Sequence, residues 1–237
     1  MRTELNPCYI LHSRNYRETS LLLDVFSRRH GRISLVAKGG RTQKNASRAL
    51  LQPGRKVNIA WSMRRELGTL SGAEPCPDND INTAGSLFTM FYINELLVRL
   101  LHRHEPHPEL FDAYETALRR LTDRAREQLT LRIFEKRLLE ALGYGLALDA
   151  DTAGNAIRPD QDYNYLPERG PLPGGAAAPD SLKVSGRTLL GLAHEDLADK
   201  VVLAEAKQLM RSSLGRLLGD KPLQSRALYQ FNTSKQG

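Results

Sequence analysis

Between Glu74 and Asp80 the chain changes its hydrophobic period from two residues to about 3.6, and no single regular element accommodates both. The stretch itself, Glu74-Pro75-Cys76-Pro77-Asp78-Asn79-Asp80, carries two prolines among acids and amides, which stops strands and prepares a helix start. A β-rich domain over residues 1–80 followed by an α-helical domain over residues 81–237 is therefore expected, an α+β chain in two parts.

Upstream of the switch, Cys8–Ser13 is a short apolar run, and Ser20–Phe26 follows it after a polar turn at Arg14–Glu18. Arg32–Lys38 and Lys56–Trp61 alternate polar and apolar residues, as a strand with one buried face does, and Gly68–Ala73 is a weaker fifth candidate. Five short strands with glycine-marked turns predict a small barrel, for which the five-stranded OB-fold is the size-matched candidate. Its open face and loops are a platform for oligonucleotides.

Downstream, Leu87, Met90, Phe91, Asn94, Leu97 and Leu101 fall on one face of a helix that starts at Asn82 or Thr83 and ends near His102, before Pro106 and Pro108. A second helix over Pro108–Thr122 turns Leu110, Phe111, Tyr114, Leu118 and Leu121 inward. A third, Arg124–Leu142, uses Leu131, Phe134, Leu138 and Leu142 and stops at Gly143-Tyr144-Gly145. From Ala147 to Pro179 regularity lapses, apart from a short hairpin near Ile157 and Tyr163–Leu166, and the Gly170–Pro179 tract reads as a flexible connection. Helical patterns resume at Ser185–His194, Lys200–Leu218 and Leu223–Phe231, so this part is an α-helical bundle with an irregular insertion over about 147–179.

Charge separates the two parts as sharply as period does. Residues 1–80 hold 14 Lys/Arg against 7 Asp/Glu, and residues 81–237 hold 20 against 20, so the net charge of +7 resides entirely in the first third. Val25–Arg65 carries eleven cations and no acid. Its centre, Lys38–Arg48, has the composition of a mobile basic loop between two β segments. Such concentration fits a polyanionic partner better than a general solubility charge; the plain alternative is a solvated basic face. The longest uncharged apolar-rich run, Ile81–Asn94, is short of the roughly 18 residues a membrane span needs, and the N-terminus lacks a signal-peptide core. A cytoplasmic protein with Cys8 and Cys76 reduced is expected, with no membrane partner.

Several segments in the same order resemble one family. They are Tyr9–Arg14, Arg17–Phe26, His30–Gly39, Tyr92–Leu97 and Leu142–Gly145, with Lys221–Arg226 similar to that family's C-terminal segment. The family is that of the bacterial DNA repair protein RecO. The resemblance implies an N-terminal OB-fold, a helical C-terminal domain, and binding of single- and double-stranded DNA. It also implies annealing of complementary strands and work with RecR and the single-stranded DNA-binding protein, as a mediator that helps load RecA in recombinational repair. Some members carry a four-cysteine zinc site after the Gly-Tyr-Gly turn, whereas residues 146–237 contain no cysteine, so neither zinc nor another cofactor is expected.

On this reading the DNA-binding candidates are Arg14, Arg17, Arg28, Arg32, Lys38, Arg41, Lys44, Arg48, Arg55 and Lys56, which would neutralise phosphates and release counterions. Arg32, Lys38, Arg41, Lys44 and Arg48 lead, while the Arg14–Arg17 turn has a protein partner as its alternative. Tyr16 and Trp61 are the nearby aromatics for base stacking, with a place in the core as their alternative. On the third helix Arg132 and Lys136 are i,i+4 neighbours beside Leu129 and Ile133, which is either a solvated helix face or a groove for an amphipathic peptide with an anionic end. The resemblance implies the latter, with the acidic, Phe-ended tail of the single-stranded DNA-binding protein as the peptide.

Catalytic patterns find no support. His102, His104 and His107 read as a frayed helix end before prolines, not a metal site. Asp149, Asp151, Gly154 and Asp160 match four positions of a calcium loop, but Ala153 and the missing terminal Glu break the pattern. Lys38 precedes its glycines instead of following them as in a phosphate loop, and the acidic cluster of a metal-dependent nuclease is missing. The expected function is a non-enzymatic DNA-binding recombination mediator; the alternative is an RNA-binding OB-fold protein without an annealing role.

Overall fold

Residues 4–42, 45–63, 66–77, 86–173 and 181–225 are described by a computed structural model. Lys44, Arg64 and Arg65 from the basic run, and Asn82 and Thr83 as helix caps, lie outside the described residues. Strands β1 (Asn6–Tyr16), β2 (Ser20–Ser27) and β3 (Gly31–Ala37) are followed by helix α1 (Asn45–Leu50), then β4 (Lys56–Met63) and β5 (Leu67–Pro75). The strands close a barrel in the order β1-β2-β3-β5-β4. All neighbours pair antiparallel except β3 with β5, and β4 returns to β1 through pairs such as Cys8 with Val57. This is the expected five-stranded OB-type barrel, and β5, the weakest in pattern, is the strand that closes it.

Alternation explains the barrel interior. Cys8 and Ile10, Leu21, Leu23 and Val25, Ile33 and Leu35, and Val57 and Ile59 point into one core. Trp61 joins them at 2 % exposure, with its ring 5.1 Å from that of His30, so it is a core residue and not a stacking platform. Strand β2 is buried at every position, which removes its alternation: its other face is covered as well. The cover is an aromatic cluster. Tyr9 and Phe26 point outward onto Phe111 and Tyr114, with ring centroids 5.0 to 6.2 Å apart.

Phe111 and Tyr114 belong to α3 (Pro108–Arg120), which follows α2 (Leu87–Leu100). Asn94 stands on the apolar face of α2 because it is satisfied there: its Nδ2 donates to the Leu11 carbonyl at 3.0 Å and its Oδ1 accepts from the Tyr114 hydroxyl at 2.6 Å. Leu87, expected on that face, is 41 % exposed; the buried stripe begins at Thr89 and Met90. Glu95 of α2 accepts from the backbone N–H groups of Gln224 and Ser225, both at 2.9 Å, and holds the C-terminal segment. The first compact unit thus comprises residues 1–124 and 222–237, so these two helices pack with the barrel although their period differs from it.

Two stretches near the barrel depart from expectation. Arg14 and Tyr16 continue β1 as far as the pair Tyr16 with Ser20, so the turn there is shorter than Arg14–Glu18. The Lys38–Arg48 stretch is not a plain loop: it makes a tight turn up to Thr42, and Asn45–Leu50 is helical. Gly31 has φ +66 and a Cβ there would lie 1.9 Å from the Glu105 carbonyl oxygen, so only glycine fits this close approach.

The second compact unit spans Ala125–Lys221. It holds α4 (Glu127–Ala141), α5 (Gly186–Ala193) and α6 (Lys200–Leu218) with a small sheet of β6 (Asp162–Leu166), β7 (Gly170–Pro173) and β8 (Leu182–Ser185). Strand β6 is central in the order β7-β6-β8, so the β6–β7 hairpin of the 147–179 insertion is extended by a strand that follows it. Gly170–Pro173 forms an edge strand, where proline is tolerated; residues 174–180 lie outside the described set. Asp199 caps α6 by accepting from Val201 N–H at 2.7 Å and Val202 N–H at 3.2 Å. Of the expected Leu223–Phe231 helix, Gln224 and Ser225 are helical and the remainder lies outside the described residues. No described helix is long and apolar enough to cross a membrane.

Candidate nucleic-acid interface

The β1–β2 turn and the turn after β3 meet because Leu21 pairs with Ala37 at the same end of the barrel. Arg41 fastens them. Its backbone N–H donates to the Thr19 carbonyl at 2.9 Å, and its guanidinium donates to the carbonyls of Arg17 at 3.3 Å and Glu18 at 2.6 Å. Gly39 takes φ +67 to turn the chain after Lys38, and Thr42 closes that turn onto the Gly39 carbonyl. Arg14, Arg17, Lys38 and Arg41 are thereby gathered, all exposed. Arg17 itself has φ +54 and its guanidinium lies 5.3 Å from the centre of the half-buried Tyr16 ring. None of the four has a carboxylate within ion-pair distance among the described residues, although the exposed Glu18 belongs to the same turn. Arg48 on α1, Arg55 before β4, and Arg29 are exposed as well.

Three other cations of the run are already engaged. Arg28 makes a two-pronged ion pair with Asp112 of α3, both contacts at 2.9 Å, which pulls the Asp112 carboxyl below its ordinary range and raises the guanidinium. Lys56 is buried and ion-pairs with Glu115, which also accepts from the Tyr9 hydroxyl at 3.0 Å. Burial alone would raise the Glu115 carboxyl, but these donors outweigh it and hold it low; the same burial and the carboxylate push the Tyr9 phenol up. Arg32 is half-buried, donating from Nε to the Leu101 carbonyl at 3.0 Å and from Nη1 to Asp24 at 3.3 Å. Its burial lowers the guanidinium against the pull of Asp24. These three stitch the barrel to the segment after it, so each of their charges already has a protein partner. Their partners Asp112 and Glu115 lie 84 and 59 residues away in sequence, so no local pattern announced them. Arg29, passed over beside Arg28, is the neighbour left facing solvent.

On α4 the expected cationic face is not open. Arg132 is 4 % exposed and pairs with Glu135 at 3.0 Å, and Lys136 is 6 % exposed, with Glu195 at 3.3 Å and Glu140 at 3.6 Å. Leu129 and Ile133 are half-buried. Spacing of three and four residues also brings carboxylates into range, which is why an i,i+4 cation pair is a weak sign of a vacant surface. Arg132 does keep one N–H, at Nε, buried with no hydrogen-bond acceptor among the described residues.

Other motifs resolve into local structure. Asp151 accepts at one oxygen, Oδ1, from the backbone N–H of Ala153 and of Asn155, both 2.9 Å, so it closes its own turn. Among the described residues, no group of three His, Cys, Asp or Glu side chains is placed to hold a metal ion, and His102 and His104 are exposed.

Residues 1–77 match the family model "Recombination protein O N terminal" and residues 83–227 match "Recombination protein O C terminal". Proteins named DNA repair protein RecO from Alkalilimnicola ehrlichii and Nitrosococcus oceani are 46% and 44% identical over 231 residues, which cover 97% of this chain and 92% and 94% of theirs. The protein of that name from Methylococcus capsulatus is 43% identical over 233 residues, 98% of this chain and 95% of its own. With barrel, helices and nearly the full length in agreement, the chain belongs to the RecO family of DNA repair proteins.

Proposed function

We propose that this protein is a non-enzymatic mediator that binds single- and double-stranded DNA by its phosphates and anneals complementary strands in the cytoplasm, at the nucleoid. A role in recombinational DNA repair comes with family membership; the mechanism is what is proposed. The observation that carries it is the cluster of Arg14, Arg17, Lys38 and Arg41, drawn together by the guanidinium of Arg41 on the β1–β2 turn. Phosphate neutralisation by such a cluster is independent of sequence and leaves base edges free, which is what annealing requires. Arg48 and Arg55 extend it, and Lys44 would add to it from outside the described residues. RecR, the tail of the single-stranded DNA-binding protein and, through them, RecA are the proposed partners.

The test is annealing of two complementary oligonucleotides by the full chain and by a Lys38→Ala, Arg41→Ala variant. The variant should anneal several-fold more slowly; an unchanged rate removes this cluster from the mechanism. An RNA-binding protein without annealing activity, the alternative reading, would bind an RNA oligonucleotide more tightly than DNA and leave complementary strands apart.

A further inference from the structure

Balanced charge in the second unit hides an unbalanced helix. The exposed residues of α6 include Lys200, Lys207, Arg211 and Arg216, with Ala204, Gln208, Ser212 and Gly215 between them. Its one acid inside the helix, Glu205, is turned away: Glu205 accepts from the hydroxyls of Ser185 and Thr188, both at 2.6 Å, and from Ser185 N–H at 3.0 Å. Asp199 is committed to the cap, and Asp220 lies beyond the last turn. None of the four cations has a carboxylate partner among the described residues. At 3.6 residues per turn Lys200, Lys207 and Arg211 share one face of α6 and form a stripe of about 17 Å, the length of about five phosphates on one strand, while Arg216 lies further round the helix, at the groove it lines together with Arg211. Gly215 leaves the middle of its last turns bare, with no neighbouring atom within 4 Å of where a Cβ would be.

The stripe leads into a cavity. An open groove along Leu182, Gln208, Arg211, Ser212 and Gly215 shares Arg216 with a neighbouring cavity of about 260 Å³. Tyr144, Leu139 and Tyr165 line that cavity, with Arg169, Glu168 and Arg216 also at its wall. Tyr144 is 51 % exposed, although the helix end fixes its backbone. Gly143 takes φ +81, Gly143 N–H donates to the Glu140 carbonyl at 3.0 Å and Tyr144 N–H to the Leu139 carbonyl at 2.8 Å, the paired bonds of a Schellman motif. The backbone is thereby fixed, and the ring stands half in solvent where it lines the cavity with Leu139. Cations beside a half-exposed aromatic ring are the arrangement by which single-stranded nucleic acid is held, phosphates on the cations and a base on the ring.

We propose that the second unit is a separate binding site for a single strand of nucleic acid, tracked by Lys200, Lys207, Arg211 and Arg216 along α6 and anchored by one unpaired base stacked on Tyr144. This rests on reading the chain as a nucleic-acid binder, and it gives the protein a place for a second strand that does not use the barrel.

The experiment follows a fluorescent oligothymidine by anisotropy on the full chain, in a background where Arg14, Arg17, Arg29, Lys38, Arg41, Lys44, Arg48 and Arg55 are all alanine. Residual binding is expected there, with a salt slope near 2.8 from the four α6 cations at about 0.7 each. Adding Arg211→Gln and Arg216→Gln should lower the slope by about 1.4, a loss of roughly sevenfold in affinity difference between 50 and 200 mM salt. Tyr144→Leu should weaken binding with the slope unchanged. Gly215→Ala favours the helix, so weaker binding in that variant cannot be misfolding. Oligothymidine carrying iodouracil should cross-link to Tyr144 under ultraviolet light. No residual binding in the barrel background, with the unmodified chain still binding, overturns this site and leaves the barrel reading standing. No binding by the unmodified chain overturns both.

Discussion

On the proposed function, position in the tertiary structure, not presence in the basic run, determines which cations should respond to salt. Counterion release scales with the number of phosphates neutralised, with a slope of about 0.7 per contact on a single strand. Lys38 and Arg41 stand exposed with no described carboxylate partner, so replacing both by alanine should lower the slope by about 1.4. Between 50 and 200 mM salt that is a fourfold change raised to the power 1.4, so the unmodified protein should lose about sevenfold more affinity than the variant. Lys56 is the control from the same run. Its side chain is 11 % exposed and that of Glu115 21 %, so the two charges already neutralise each other. Lys56→Ala should leave the slope unchanged and cost about 1–3 kcal/mol of stability, because Glu115 keeps the Tyr9 hydroxyl and Arg119 at 3.4 Å as partial compensation. Fluorescence anisotropy against salt reads the first quantity and urea denaturation the second. If Lys56→Ala flattens the salt dependence as much as the Lys38, Arg41 double variant does, the sorting of cations by ion pairing is wrong.

Gly31→Ala should destabilise by several kcal/mol, since the Cβ meets the Glu105 backbone at 1.9 Å where φ is already +66; a melting temperature within a degree or two of the unmodified protein would contradict this close approach. Glu115 and Glu95 have carboxyls held low in the folded protein, so the stability they contribute is present above the ordinary carboxyl pKa near about 4.3 and is lost as pH falls through the lower folded value. The urea midpoint should therefore fall between about pH 5 and pH 3, and fall less in Glu115→Gln. The chain's single tryptophan, Trp61, is 2 % exposed, so its emission should be blue-shifted and unmoved by oligothymidine; quenching on binding would place it at the DNA after all. Burial pushes the Cys8 thiol up to about 12, so an alkylating reagent at pH 8 should modify it only on unfolding.

The period switch near Pro75–Pro77 and the alternation in β3 and β4 were enough, by themselves, to specify a barrel followed by helices, because strand and helix periods are set by backbone geometry within a few residues. The charge asymmetry was equally local, and so were the helix stop at Gly143 and the burial of Leu110, Phe111, Tyr114 and Leu118. What required the tertiary structure was everything decided by partners far along the chain. Tyr9 and Phe26 look like ordinary strand residues until α3 covers them, and that cover draws two helices into the barrel's compact unit. Arg28, Arg32 and Lys56 are indistinguishable in sequence from Arg14, Lys38 and Arg41, yet the first three meet Asp112, Asp24 and Glu115 while the others meet no carboxylate among the described residues. On α6 the reverse happened: equal numbers of acids and bases over residues 81–237 concealed a helix with four bases and one acid, and folding turned that acid, Glu205, inward onto Ser185 and Thr188. A sequence states how many charges a segment carries, but only the fold decides which are spent on each other, since that depends on distances no periodicity encodes.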